Sequence, residues 1–194
     1  MNVTSITPAR GGSKGIPRKN IQNVCGKPLL AWTVEAALRA ERVNRVLVNS
    51  EDEEIRGVAE QYGAEVFSRP EQFYYDNTFQ EVDRLLMWCV EELEKEGPRI
   101  DVLVLCYATS PLRRSKQIDE AVKRVTDEGF DSALTLVEDS SYLWRVNKDN
   151  TAEPTNYDPK TRGPRQKEEW NQWIENKAVY AVKRDLLMET GCRL

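Results

Sequence analysis

Apolar positions recur along the chain in two alternating rhythms. Val3 to Pro8 is a short β-like run that ends in Ala9-Arg10-Gly11-Gly12-Ser13-Lys14-Gly15, and glycine and proline punctuation continues to Lys27-Pro28. A helix is predicted from about Leu29 to Arg42, where Leu30, Val34, Ala37 and Leu38 keep helical spacing. Val43 to Asn49 reads as a second strand. Ser50 with Glu53 three residues on forms a capping-box pattern before a helix from Glu51 to Tyr62, closed by Gly63. Ala64 to Ser68 is a third short strand. Phe79 to Glu96 carries the clearest helical stripe, Val82, Leu85, Leu86, Cys89, Val90 and Leu93, and Gly97-Pro98 stops it. Ile100 to Cys106 is nearly all apolar, as expected for a strand covered on both faces. Helix returns at Lys116 to Glu128 and strand at Asp131 to Val137.

The pattern then breaks. Glu138 to Trp173 is polar, aromatic and rich in turn formers, with Asn147-Lys148-Asp149-Asn150, Asp158-Pro159 and Gly163-Pro164, and reads as a hairpin and long loop. Ala178 to Val182 resumes strand character and Arg184 to Thr190 starts a last helix. This alternation predicts an α/β fold with a mostly parallel sheet and right-handed crossovers, interrupted by one arm. The expected division is a main domain of residues 1–137 plus 175–194 and an inserted arm of residues 138–174.

Composition narrows the chemistry. The 194 residues are 40% apolar and 31% charged, with 28 basic and 32 acidic side chains and a net charge of −4. That balance argues against nucleic acid or an anionic membrane as the main partner. Histidine is absent, so triads, Cys-His dyads, His-ligated zinc and imidazole proton shuttles are excluded. Chemistry must run on carboxylates, lysine, arginine, backbone dipoles or an oxygen-ligated metal. The cysteines at 25, 89, 106 and 192 form no CxxC pair. Cys89 and Cys106 lie in apolar runs and are expected as small buried hydrophobes in a reducing cytoplasm. The N-terminus lacks a signal-peptide pattern, and no run is long enough to span a bilayer.

The strongest local signal is the strand followed by ARGGSKGIPRKN and a helix. Ligands of α/β sheets gather beyond the carboxyl ends of strands. Glycines let backbone N–H groups approach an anion closely, and Arg10, Lys14, Arg18 and Lys19 crowd four cations into ten residues. The loop matches neither the Walker A spacing nor GxGxxG. On pattern alone it is either a polyphosphate cradle or a solvated basic loop with glycine turns.

Here the sequence resembles a known family. ITPARGGSKGIPRKNIQNVCGKPLLAWTVEAAL resembles the N-terminal signature of the acylneuraminate cytidylyltransferases, a group that includes the synthetases of CMP-legionaminate and CMP-pseudaminate. In order along the chain, VLVNSEDEEI resembles the family's strand ending in S-T-D, AEVFSRPE its R-P segment and LCYATSPLR its T-S-P-L-R segment, followed by PRQ and ENKAVY. The resemblance implies a Rossmann-like nucleotidyltransferase sandwich with a mostly parallel sheet and a dimerisation arm. It implies a transferase that joins CTP to a nonulosonic acid of sialic, legionaminic or pseudaminic type and releases pyrophosphate, with Mg²⁺ as electrophile. Such an enzyme serves lipopolysaccharide or capsule glycan synthesis. The sugar hydroxyl attacks the α-phosphate in line, a reaction that needs no imidazole.

Carried over residue by residue, the resemblance places Arg10, Gly11, Gly12, Ser13, Lys14, Lys19 and Asn20 at the triphosphate and cytidine. Lys14 is the first choice for catalysis, with Arg10 and Lys19 beside it. Arg69 falls where a buried arginine reads the cytosine edge, the alternative being a surface pair with Glu71. Asp76, Thr78 and Gln80 fall at further base contacts. Tyr107, Ser110, Arg165, Gln166 and Asn176 fall at the sugar. Arg145 on the arm is expected to approach a partner subunit's sugar carboxylate, and Tyr142, Trp144, Trp170 and Trp173 to form the core of a homodimer. CTP and the sugar acid are then the partners, with no nucleic acid and no membrane.

Three departures stand out. Lys177 replaces a usual glycine after Asn176; if that position has a positive φ, lysine strains it by about 1 kcal/mol or more. Glu51 replaces the usual aspartate after Ser50. The family's S-I-D-I-D strand, whose aspartates hold the metal, has no counterpart before Leu194, so no metal ligand is identifiable; Asp52 and Asp76 are candidate substitutes with no pattern to favour them. The expectation drawn is a chain cut short, lacking a last strand and helix, with an apolar face uncovered and weak or no Mg²⁺-dependent turnover. The alternative functions are a non-catalytic nucleotide-binding homologue and an octulosonate cytidylyltransferase; the latter is disfavoured by the run GGSKGIPRKN.

Overall fold

The computed structural model describes residues 1–13, 15–74, 78–161 and 171–194. Strand β1 (Val3–Pro8) lies inside a six-stranded sheet. It pairs in parallel with β4 (Arg45–Ser50) on one side and with β6 (Val102–Cys106) on the other. Strand β5 (Glu65–Ser68) extends the β4 side in parallel. On the β6 side comes β10 (Trp173–Lys183), antiparallel to β6, then β7 (Ser132–Glu138) at the edge, so the order is β5-β4-β1-β6-β10-β7.

A two-residue hairpin, β2 (Asn23–Val24) with β3 (Lys27–Pro28), and then helix α1 (Leu29–Leu38) link β1 to β4, α2 (Glu53–Gln61) links β4 to β5, α3 (Phe79–Glu94) links β5 to β6, and α4 (Ser115–Thr126) follows β6. The short α5 (Arg184–Thr190) follows β10 and ends at Gly191, whose left-handed backbone (φ 67°) suits a glycine C-cap. The chain winds from β1 toward β5 and then jumps back across β1 to β6. Right-handed crossovers in opposite directions place α1 and α2 on one face of the sheet and α3 on the other; α4 departs from the expected handedness, since it leads from β6 outward toward β7 yet packs on the α1 and α2 face.

The two cores show this division. Successive strand residues face opposite sides. Val102, Val104 and Cys106 pack with Leu30, Val34, Ile55 and Val122 of α1, α2 and α4, whereas Leu103 and Leu105 pack with Leu85, Leu86 and Leu187 of α3 and α5. A strand sandwiched this way has no polar face, which is why β6 reads as an unbroken apolar run.

Several boundaries differ from the expected ones. Helix α1 stops at Leu38 rather than Arg42, with Arg39 as C-cap. The cap of α2 is Asp52, not Ser50: the Asp52 carboxylate accepts the Ile55 N–H at 3.1 Å, and the Ser50 hydroxyl accepts the Asp52 N–H instead. Ser50 is still the last residue of β4, so it lies too early to cap the helix. Strand β6 begins at Val102, opposite Val3, rather than at Ile100, whose N–H is taken by the Glu94 carboxylate at 2.9 Å. Strand β10 is far longer than Ala178 to Val182 because its polar N-terminal half carries no alternating apolar signal.

The described chain divides into two compact units, Met1–Thr135 with Lys177–Leu194, and Leu136–Asn176. The second unit contains the hairpin β8 (Trp144–Val146) and β9 (Ala152–Pro154), paired Trp144 to Pro154 and Val146 to Ala152. Asn150 in its turn adopts φ 62°, a conformation asparagine tolerates. Tyr157 packs against Tyr142 at 4.7 Å and Trp144 at 6.0 Å between ring centroids. Trp144, Val146, Trp173 and Ile174 are half exposed or more. No described helix is long and apolar enough to cross a membrane.

Candidate active site

A cleft of about 280 Å³ opens beyond the carboxyl ends of β1 and β6, where the winding direction reverses. Pro8, Arg10, Ser13, Lys19 and Asn20 form one wall, Thr78 and Val82 of α3 another, and Tyr107, Ala108, Thr109 and Lys177 the third.

The first wall is an anchored loop. Ala9 donates its N–H to the Asn49 carbonyl at 2.9 Å, and Ser13 N–H bonds back to the Gly11 carbonyl at 2.9 Å. Asn20 is buried, and its amide donates to the Arg10 carbonyl at 2.9 Å, tying the end of the loop to its start. Gly11 donates its N–H to the Glu51 carboxylate at 2.7 Å. A Cβ at Gly11 would stand 2.5 Å from Asp52 Oδ2, so only glycine fits there, whereas Gly12 has open space around it.

The cations separate into two roles. Arg10 and Lys19 line the cleft. Arg18 does not: its guanidinium grips Asp52 at 2.8 and 3.0 Å and reaches Glu54 at 2.6 Å. The Arg18 hydrogen bond holds the Asp52 carboxyl below the usual carboxylate range, against the opposing effect of burial. Four cations in sequence therefore do not all face one ligand.

On the second wall Thr78 caps α3. Its hydroxyl accepts the Glu81 N–H at 3.1 Å while Glu81 accepts the Thr78 N–H at 2.8 Å. The N-terminus of this long helix thus borders the cleft, and its dipole favours an anion there. On the third wall the Tyr107 ring meets Tyr180 edge-on at 6.1 Å. Arg113 is buried and donates to the Tyr107 carbonyl and, at 2.7 Å, to the Ala178 carbonyl, stapling the end of β6 to β10.

Of the residues named from sequence, Arg10, Ser13, Lys19, Asn20, Thr78 and Tyr107 come together around this cleft. Gly11 and Gly12 lie in its loop. Arg69 is buried; its guanidinium donates to Asn49 Oδ1 at 2.9 Å and the Phe73 carbonyl at 3.4 Å, and it is not part of the cleft lining. Gln80 is exposed on α3, and the Ser110 hydroxyl reaches the Lys177 carbonyl at 3.5 Å; neither lines the cleft. Arg145 and Asn176 belong to the second unit, where Arg145 faces Glu153 at 3.5 Å. Lys14, Asp76, Arg165, Gln166 and Trp170 lie outside the described residues.

Lys177 is the residue sequence reasoning placed least well. It has φ 58° and lines the cleft, so the condition set for strain holds and a third described cation joins Arg10 and Lys19. Arg113 was passed over, and Glu51 and Asp52 were read only as a departure from aspartate and a substitute metal ligand. The adjacent acids after a strand end were visible, but only the fold shows what they hold.

The model of the cytidylyltransferase family matches residues 4–181. The chain belongs to the cytidylyltransferase family. It is similar to N-acylneuraminate cytidylyltransferase A of Danio rerio, at 34% identity over 189 residues, covering 96% of this chain and 42% of that protein. It is similar also to pseudaminic acid cytidylyltransferase of Campylobacter jejuni, at 37% identity over 125 residues, 64% of this chain and 53% of the relative. The chain thus spans about half the length or less of these relatives. Among solved structures, that of CMP:2-keto-3-deoxy-manno-octonic acid synthetase complexed with CTP superposes with TM-score 0.69 at 19% identity, covering 98% of this chain and 78% of that one. A 4-diphosphocytidyl-2C-methyl-D-erythritol synthase gives TM-score 0.67 at 14% identity, covering 97% and 78%. At these identities the likeness is one of fold. This cytidylyltransferase therefore has the nucleotidyltransferase sheet.

Magnesium, implied by the family resemblance, meets no ready ligand set: among the described residues no three acidic or cysteine side chains cluster to hold a metal. Asp52 is committed to Arg18 and the α2 cap, and one Glu51 oxygen to Gly11. The described donor set does not fit the ion.

Proposed function

We propose that this cytidylyltransferase binds CTP in the cleft and transfers CMP to a nonulosonic acid, releasing pyrophosphate. The observation that carries the reading is the convergence of Arg10, Ser13, Lys19 and the Thr78-capped end of α3 on one cleft at the winding reversal. Arg10 and Lys19 neutralise the triphosphate, and the α3 dipole adds a fixed positive end. Lys14, in the same loop by sequence, supplies a further point charge. Arg69 contributes from behind the cleft to nucleoside recognition, together with Asp76 and Gln80. The sugar acid lies against Tyr107, with Ser110, Arg165, Gln166 and Asn176 as its further contacts. The sugar hydroxyl forms its bond to the α-phosphorus as the bond to pyrophosphate breaks, and the residues chiefly position and screen. The names of the curated relatives support the nonulosonate class.

We further assign the protein to the cytoplasm as a homodimer built on the 138–174 arm, from which Arg145 reaches the partner's sugar. The exposed Leu143, Trp144, Val146 and Trp173 support this. Sedimentation should then show a dimer that Trp144→Ser weakens.

The test is pyrophosphate release with CTP, Mg²⁺ and a panel of nonulosonic acids beside the eight-carbon acid. Turnover with a nine-carbon acid that Arg10→Ala and Lys14→Ala abolish is expected. Tight CTP binding without turnover on any acid would move the reading to a non-catalytic nucleotide-binding homologue. Activation of the eight-carbon acid alone would replace the substrate class.

A further inference from the structure

The glycine loop is gripped from behind by two neighbouring acids at the β4–α2 junction. Neither lines the cleft. Glu51 accepts the Gly11 N–H at 2.7 Å. Asp52 takes both terminal nitrogens of Arg18 at 2.8 and 3.0 Å while its Oδ1 also accepts the Ile55 N–H at 3.1 Å. The grips fall on opposite ends of the loop, at residues 11 and 18. At Gly11 the backbone lies so close to the acids that a Cβ would collide with Asp52. Arg18 itself holds a left-handed backbone, φ 51° and ψ 33°, that arginine adopts only when something holds it.

We propose that Asp52, acting through Arg18, and Glu51, acting through Gly11, are positioning residues that pre-shape the loop for the triphosphate. The inference rests on the CTP reading above. A loop carrying Arg10, Lys14, Arg18 and Lys19 repels itself and would lose backbone entropy on ordering around an anion. Two fixed points remove much of that loss before the ligand arrives. Arg18 is thereby a staple rather than a ligand contact. Helix α2 supplies the rigid base, since the same carboxylate caps it.

Charge alone predicts the opposite sign. Acids beside a tetra-anion site repel the ligand, so neutralising one should tighten binding. The direction of change in an isosteric variant therefore separates the two effects. Asp52→Asn keeps the shape and an equally good N-cap. Arg18→Asn removes the guanidinium with a residue that tolerates the left-handed backbone.

Isothermal titration with CTP and with CMP on wild type, both single variants and the double variant is the experiment. Each single variant is expected to weaken CTP by at least about fivefold and CMP by less than about twofold. The double variant should be no weaker than Arg18→Asn alone, because that change already removes the Asp52 pair. Unchanged or tighter CTP binding by Asp52→Asn overturns the inference, as do equal losses for CTP and CMP, which mark a merely structural role. Wild-type protein that binds no CTP overturns the underlying reading and this inference with it.

Discussion

Lys177 offers the sharpest test, because stability and ligand affinity should move in opposite directions. Its φ of 58° is left-handed, where an L side chain is strained by about 1–2 kcal/mol. Lys177→Gly relieves that strain but frees the unfolded chain by about 0.4–1 kcal/mol. The net expected gain is about 0.5–1 kcal/mol, or roughly 1–4 °C in Tm for a chain of this size. Lys177→Ala is the control: it removes the same side chain and keeps the strained backbone. Because Lys177 lines the cleft, both variants should also weaken CTP binding a few-fold by losing a cation. Calorimetric melting of the three proteins, followed by CTP titration, reads both effects. If the glycine variant melts no higher than the alanine variant, the strain argument is wrong.

The remaining predictions concern charge, thiols and the core. Arg18 holds the Asp52 carboxyl low and Lys27 holds the Glu35 carboxyl low, so these carboxylates stabilise the fold above their unfolded pKa values and lose that contribution as pH falls through the depressed ones. Melting temperature should therefore drop as pH is lowered below about 4, and less steeply in Asp52→Asn, which a pH series of thermal scans checks. Burial raises the Cys106 thiol and pushes Cys89 up to about 12, so a thiol reagent should label exposed Cys25 and Cys192 quickly and the other two only in urea. Asp83 pairs with buried Arg193, whose guanidinium stacks 4.8 Å from the Tyr180 ring. Asp83→Ala takes the carboxylate away from that buried charge and should destabilise by about 3 kcal/mol in urea unfolding, whereas Asp83→Ala with Arg193→Met should recover much of the loss.

What the sequence determined was everything carried by local rhythm and by motif. The six sheet strands and five described α-helices each fall on a segment predicted from periodicity, because β1, α3, β6 and their neighbours bury a whole face or stripe, and burial writes itself into residue order. The glycine-rich loop and its cations were legible for the same reason: close backbone approach needs glycine wherever the loop goes. The N-cap of α2 was misplaced by two residues, because Ser50, Glu51 and Asp52 all carry capping oxygens and only the end of β4 decides among them.

Tertiary structure decided where each charge points. Arg10 and Arg18 look alike in the chain, yet one lines the cleft and the other faces Asp52, a residue 34 positions away. Lys177 reaches the cleft because β10 runs antiparallel beside β6, a pairing that no local pattern encodes. Long side chains carry the same composition and hydropathy whichever partner they meet. Their roles are fixed by the fold, which brings distant carboxylates and carbonyls within hydrogen-bond reach.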